Sequence, residues 1–182
     1  MEVPGGRQFL NSEEVIAKSQ VTQGMKVGDL GVGNLGYFAI PMAKAVGKGG
    51  IVYAVDIQKP VLEAVRNKAK LQGITNLEYV WANLEKVGST QIPAASLDLV
   101  LLINVLFEST KKQEILKEAI RLLKIGGKLF IIGWKRTGIP FGPAVNLRLD
   151  PDDVANLASN MGLKLLEKME IGTYFWGIIL VK

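Results

Sequence analysis

Short stretches dense in apolar residues recur along this chain at 25–30, Ile51–Asp56, Leu77–Trp81, Leu97–Ile103 and 128–134. Runs of that length and near-continuous apolarity predict strands covered on both faces, as in a parallel sheet. Between them the apolar positions recur every three or four residues, which predicts helices packed on one face. Leu62, Val65 and Ala69 mark such a helix over 59–72, and Ile115, Leu116, Ala119, Ile120 and Leu123 mark another over 111–123. Phe38, Ile40, Ala43 and Val46 outline one running from Gly36 to Gly47, with Pro41 near its free end. Asn11 with Glu14 three residues on resembles a capping box, opening a helix to about Val21 that Gly24 closes. Asp150-Pro151-Asp152-Asp153 supplies a cap, a proline at the first helical position and acids in the first turn. Two last strands, 163–171 and 174–181, have only Gly172-Thr173 between them and should form an antiparallel hairpin.

Strands alternating with helices and closing in a hairpin predict an α/β fold: a doubly wound, mostly parallel seven-stranded sheet with an antiparallel C-terminal hairpin. The 182 residues read as a single domain, with 1–24 as a helical lead or lid and Gly5 to Arg7 as a flexible start. In such sheets ligands sit at the carboxyl ends of the strands, beside the point where the strand order reverses.

Chemistry gathers at those ends. Asp29 closes the first strand, and Gly31, Gly33 and Gly36 follow it as G-x-G-x-x-G. Glycines at that spacing let the backbone turn tightly and let a ligand approach where a side chain would collide. Asp56 ends the second strand 20 residues after Gly36, where a carboxylate can accept both hydroxyls of a ribose. Ile57 beside it could lie against a purine. Asn83 after the third strand either reads an adenine or satisfies its own turn. Asn104 after the fourth either caps the strand or reaches the reacting region. Asp29 either receives a ligand ammonium or anchors the glycine loop.

Composition narrows the chemistry. With 0 Cys and 0 His the chain has no thiolate nucleophile, no imidazole base and no cysteine or histidine metal site. The residues predict no metal. A net charge of +5 suits an anionic partner, but Lys and Arg are scattered, Lys111-Lys112 and Lys135-Arg136 being the densest pairs. A nucleic-acid partner is therefore possible but not favoured. No apolar run reaches the eighteen or so residues that span a bilayer. Residues 1–7 lack the apolar segment of a secretory signal, so cytoplasm is the expected compartment.

Taken in order, Asp29-Leu-Gly-Val-Gly, Val55-Asp56, Ser96-Leu-Asp-Leu-Val-Leu and Leu123-Lys-Ile-Gly-Gly-Lys-Leu129 resemble the successive motifs of class I S-adenosylmethionine-dependent methyltransferases. The stretch from Trp134 to Pro143 and the closing hairpin look like the small stand-alone branch similar to ubiquinone/menaquinone-type methyltransferases. The resemblance implies a Rossmann-like fold, S-adenosylmethionine as cofactor and a small-molecule acceptor. It places Asp29, Gly31 and Gly33 at the methionine part, Asp56 at the ribose, Ile57 and Asn83 at the adenine, and Asn104 near the sulfonium, with Gly36 also expected among the cofactor-binding residues. It names no catalytic residue.

The chain departs from that pattern in three ways. The third glycine comes one residue late, so Leu35 is an apparent insertion that either bulges away or narrows the pocket. Phe107 follows Asn104-Val105-Leu106 where many relatives carry histidine. The Asn/Asp-Pro-Pro-aromatic motif of nucleic-acid amino methyltransferases lacks both prolines here. Two alternatives follow: an RNA or protein methyltransferase, or a cofactor-binding protein with lost catalysis. Glu108 and Tyr37 stand within reach as bases without being assigned, and Trp134, Phe141, Tyr174 and Trp176 are candidates for an apolar acceptor wall.

Overall fold

In the computed structural model, which describes residues 9–138 and 141–182, seven strands form one sheet. They are β1 (Lys26–Leu30), β2 (Ile51–Asp56), β3 (Leu77–Trp81), β4 (Leu97–Ile103), β5 (Leu123–Trp134), β6 (Lys164–Ile171) and β7 (Phe175–Val181). The order across the sheet is β3-β2-β1-β4-β5-β7-β6. The first five strands run parallel, and β7 enters antiparallel between β5 and β6. The order reverses between β1 and β4, so the switch point lies at the carboxyl ends of those two strands. This is the doubly wound sheet with a terminal hairpin that the hydrophobic pattern predicts.

The helices are α1 (Ser12–Ser19), α2 (Ala39–Val46), α3 (Lys59–Leu71), α4 (Lys112–Leu122) and α5 (Pro151–Ser159). Each presents an apolar stripe to one face of the sheet, giving two cores. One gathers Val27, Met42, Val65, Leu101 and Phe130, and the other Leu30, Val100, Leu116, Ile131 and Ile178. Alternate residues of β4 and β5 therefore serve opposite layers, which is why these strands read as unbroken apolar runs.

Several boundaries differ from expectation. The first helix ends at Ser19 because Gln20 takes the left-handed conformation (φ 57°), so Gly24 is not its terminator. Asn11 caps that helix as expected, accepting from the Glu13 N–H at 2.8 Å. Glu14 does not reach back to it; its Oε1 accepts from the Gly172 N–H at 3.3 Å, tying the helix to the β6–β7 turn. The fifth strand starts at Leu123, not at 128, because Gly126 and Gly127 continue as strand backbone bonded to Lys182 (2.8 and 3.0 Å). The hairpin turn spans three residues, since Ile171 pairs with Phe175 and frees Tyr174 from the ladder. The expected start at Gly5 to Arg7 lies outside the described residues. Among the described residues no helix is long and apolar enough to cross a membrane.

Candidate active site

Where β1 ends, the chain turns over the end of β2. Gly31 (φ 82°) and Val32 both donate their N–H groups to the Val55 carbonyl at 2.9 Å. A Cβ on Gly31 would stand 2.5 Å from Val105 Cγ2, so the loop can run this close to the β4 end only as glycine. Gly33 donates its N–H to Asp56 Oδ2 at 3.0 Å, and Asp56 Oδ1 accepts from the Gln58 N–H at 2.9 Å. Each carboxylate oxygen has a second lone pair. Asp56 thus fixes the loop and keeps acceptor capacity toward a ligand. Leu35 sits in the left-handed region (φ 65°) with its side chain 52% exposed, so the extra residue bulges away from the cleft. Gly36 packs against α3, where a Cβ would stand 2.7 Å from Val65 Cγ1, and does not line the cleft.

That cleft, of ≈ 990 Å³, opens along the switch point. Seven of the eight expected site residues line it together: Asp29, Gly31, Gly33, Asp56, Ile57, Asn83 and Asn104. A cleft of this size suits a cofactor and a small second ligand. Asp29 is buried at its base and Asp56 nearly so. Ile57 stays exposed, its carbonyl accepting from Trp81 Nε1 at 2.8 Å. Asn83 closes its own turn: Oδ1 accepts from the Glu85 N–H at 2.9 Å and its carbonyl accepts from the Ser89 hydroxyl at 2.6 Å. The Ser109 hydroxyl donates to Glu85 at 2.7 Å and, against the opposing effect of burial and with Lys111 adding to it, holds that carboxyl below its ordinary range.

Asn104 terminates β4 in the left-handed conformation (φ 57°), its N–H donating to the Ile132 carbonyl at 2.9 Å. Both polar atoms of its amide are shielded from solvent and bonded to no described residue. It is not a strand-end cap. A buried amide in that state costs free energy until a ligand or water satisfies it.

Near Asn104 the cleft is lined by Phe107 and Trp134, and behind Trp134 lies an aromatic cluster whose other members, Phe9, Phe141, Tyr174 and Trp176, do not line it. Trp134 is 2% exposed. Phe141 stacks on Phe9 at 4.4 Å, and both meet Tyr174 edge-on at 5.0 and 5.6 Å. Tyr37, weighed as a base, instead donates its hydroxyl to the Leu10 carbonyl at 3.0 Å. Glu108 lines the cleft. Trp176 donates Nε1 to the carbonyls of Trp134 and Leu149, both at 3.0 Å, and so supports the wall from behind. Two residues packed in or against this cluster carried no sequence signal of it. Phe9 precedes the first helix, and Arg148 stands between Leu147 and Leu149, its flanking leucines being the one hint of burial.

A family model described as a methyltransferase domain matches residues 21–138, more than half of the chain. The chain belongs to this methyltransferase domain family. It is 32% identical over 143 residues to the ubiquinone/menaquinone biosynthesis C-methyltransferase UbiE of Laribacter hongkongensis, an alignment covering 79% of this chain and 57% of that one. It is 33% identical over 129 residues to the UbiE of Francisella tularensis subsp. novicida, covering 70% and 50%. The chain spans about half the length of these curated relatives. A crystal structure of a SAM dependent methyltransferase from Aquifex aeolicus superposes with TM-score 0.87 at 24% identity, covering 98% of this chain and 94% of that one. The [4+2]-cyclase SpnF superposes with TM-score 0.77 at 13% identity, covering 93% and 79%. The sheet order is thus a shared fold that also serves a reaction other than methyl transfer.

The methyl donor of this family, S-adenosylmethionine, finds fitting residues here. Two acids, Asp29 and Asp56, suit its cationic and hydroxyl-bearing parts. The backbone at Gly31 and Gly33 lines the cleft, as does Asn104, whose amide is bonded to no described residue.

Proposed function

We propose that this methyltransferase-family domain transfers a methyl group from S-adenosylmethionine to a small-molecule acceptor in the cytoplasm. The cleft supports this reading: it joins the Asp29–Asp56 end to the Asn104–Trp134 end in one space. When bound, the cofactor supplies a methyl group already activated on a sulfonium, so the protein's share is alignment and exclusion of water. Asp56 would take the ribose, Ile57 and Asn83 the adenine edge, and Asp29, Gly31 and Gly33 the methionine part. Gly36 would act from behind, holding the loop against Val65. The 182 residues would work as one domain, the segment up to residue 24 covering the cleft. What supports that role is that Phe9 stacks on Phe141, next to the cleft-lining Gly142, and Tyr37, next to the cleft-lining Phe38, bonds to Leu10, which brings the start of the described chain to the cleft's border.

A small acceptor is favoured over a macromolecule because the acceptor end is walled by Phe107, Trp134 and Leu147. The kinship to UbiE, named a C-methyltransferase, points the same way. The discriminating experiment incubates the protein with methyl-labelled S-adenosylmethionine and separate low-mass, RNA and protein fractions of a cell extract. Label is expected in the low-mass fraction; label confined to RNA or protein would overturn the assignment.

A further inference from the structure

Trp81 closes β3 directly beside Asp56, its register partner on β2. The two strand ends are joined there by the Ala82 N–H, which donates to the Asp56 carbonyl at 3.1 Å. One residue past Asp56, the Ile57 carbonyl accepts from Trp81 Nε1 at 2.8 Å. Lys59, the first residue of α3, lays its ammonium over the same indole, 4.4 Å from the ring centre. Strand end, turn and helix start are thus clasped around one ring. Trp81 does not line the cleft, but Ile57, Gln58 and Asn83 beside it do.

Burial does not dictate this bond. The other two tryptophans, Trp134 and Trp176, are 2% and 6% exposed, and an indole N–H so enclosed has to find a protein acceptor. Trp81 is 59% exposed, and water could satisfy its N–H. What puts the N–H on Ile57 is the position of the ring, set by the β2–β3 register on one side and the Lys59 cation on the other. Ile57 is itself 56% exposed, so apolar packing does not fix the turn. Hydrogen bonds do so instead: Asp56 Oδ1 accepts from the Gln58 N–H at 2.9 Å, and the Ile57 carbonyl accepts from Trp81.

We propose that Trp81 is a positioning residue for the base of the cofactor: its indole N–H holds Ile57 where the base packs, without itself meeting the ligand. The role rests on the methyltransferase reading, in which Ile57 lies at the adenine, and carries it to a side chain outside the cleft. Its physical basis is preorganisation. A turn already fixed loses less freedom when the base docks. The bond therefore raises affinity for a ligand that carries the base and is neutral toward one that lacks it. Trp81→Phe isolates this effect, because it keeps an aromatic ring near Lys59 and removes the donor.

The test compares S-adenosylhomocysteine with S-ribosylhomocysteine, which keeps the ribose and amino-acid parts and lacks the base. Affinities are read by calorimetry on the full chain, the weaker ligand by displacement of the tighter. Trp81→Phe is expected to weaken S-adenosylhomocysteine about 3- to 10-fold, the worth of one hydrogen bond, and to leave S-ribosylhomocysteine unchanged. Lys59→Ala, at an exposed position, frees the ring and is expected to give the same selective loss at about twofold. It decides the matter if Trp81→Phe fails to fold. Unchanged binding of S-adenosylhomocysteine by the folded variant, or an equal loss for both ligands, would overturn the positioning role. Wild-type protein that binds neither ligand would instead overturn the methyltransferase reading, and the role of Trp81 with it.

Discussion

Asp56 both fixes the glycine loop and lines the cleft. Its two oxygens accept from Gly33 and Gln58, which sets the glycine loop before any ligand arrives. Replacing it by alanine removes the loop's anchor and, in the proposed assignment, the ribose acceptor as well. Asp56→Ala is therefore expected to weaken S-adenosylhomocysteine binding by about 1–3 kcal/mol, read by calorimetry on folded protein. Unchanged affinity would remove Asp56 from the site. Its place was legible in the sequence because an acid at a strand end, 20 residues past a glycine turn, needs only local spacing to be read. Asn83 and Asn104 were not separable that way. The same residue type after a strand closes a turn in one case and stands unsatisfied in the other, and what surrounds each amide decides between them.

At the scale of elements, α4 holds the connection from β3 to β4 through a buried pair. Glu118 is fully buried and accepts from Arg121 (2.8 Å from both Nε and Nη2), the Thr90 hydroxyl (2.5 Å) and the Gly88 N–H (2.6 Å). Burial pushes its carboxyl up, but these donors outweigh it and hold the group below its ordinary range. With the folded value depressed, the stabilisation is complete above the ordinary carboxylate range and is lost as pH falls through the folded value. Arg121→Met would leave the carboxylate buried without its main partner. It should cost about 3–5 kcal/mol in urea unfolding near neutral pH and move the onset of acid unfolding to higher pH. A loss under about 1 kcal/mol, the worth of an exposed pair, would show the pair to be peripheral. The helix itself was legible from its apolar spacing. The strand status of Gly126 and Gly127 was not, because it depends on pairing with Lys182, more than fifty residues away.

For the whole molecule, alternation of apolar runs and amphipathic stretches was enough to give the seven-stranded doubly wound sheet, since each strand buried on both faces writes its own unbroken run. The rim followed from topology, because parallel strands deliver their carboxyl ends to one edge. The aromatic cluster beside the cleft was less legible. Trp134, Phe141 and Tyr174 were candidates as aromatics, but Phe9 and Arg148 join them only through long-range folding. A charged residue in a loop reads as solvated until four carbonyls are seen to enclose it.

In the proposed reading the rim at Asp29, Asp56 and Asn104 holds S-adenosylmethionine. Titration calorimetry of the wild-type chain with S-adenosylhomocysteine and, separately, with NAD tests it most directly. Saturable binding of S-adenosylhomocysteine at one site per chain, with none for NAD, is the predicted result. Binding of NAD without S-adenosylhomocysteine would contradict it.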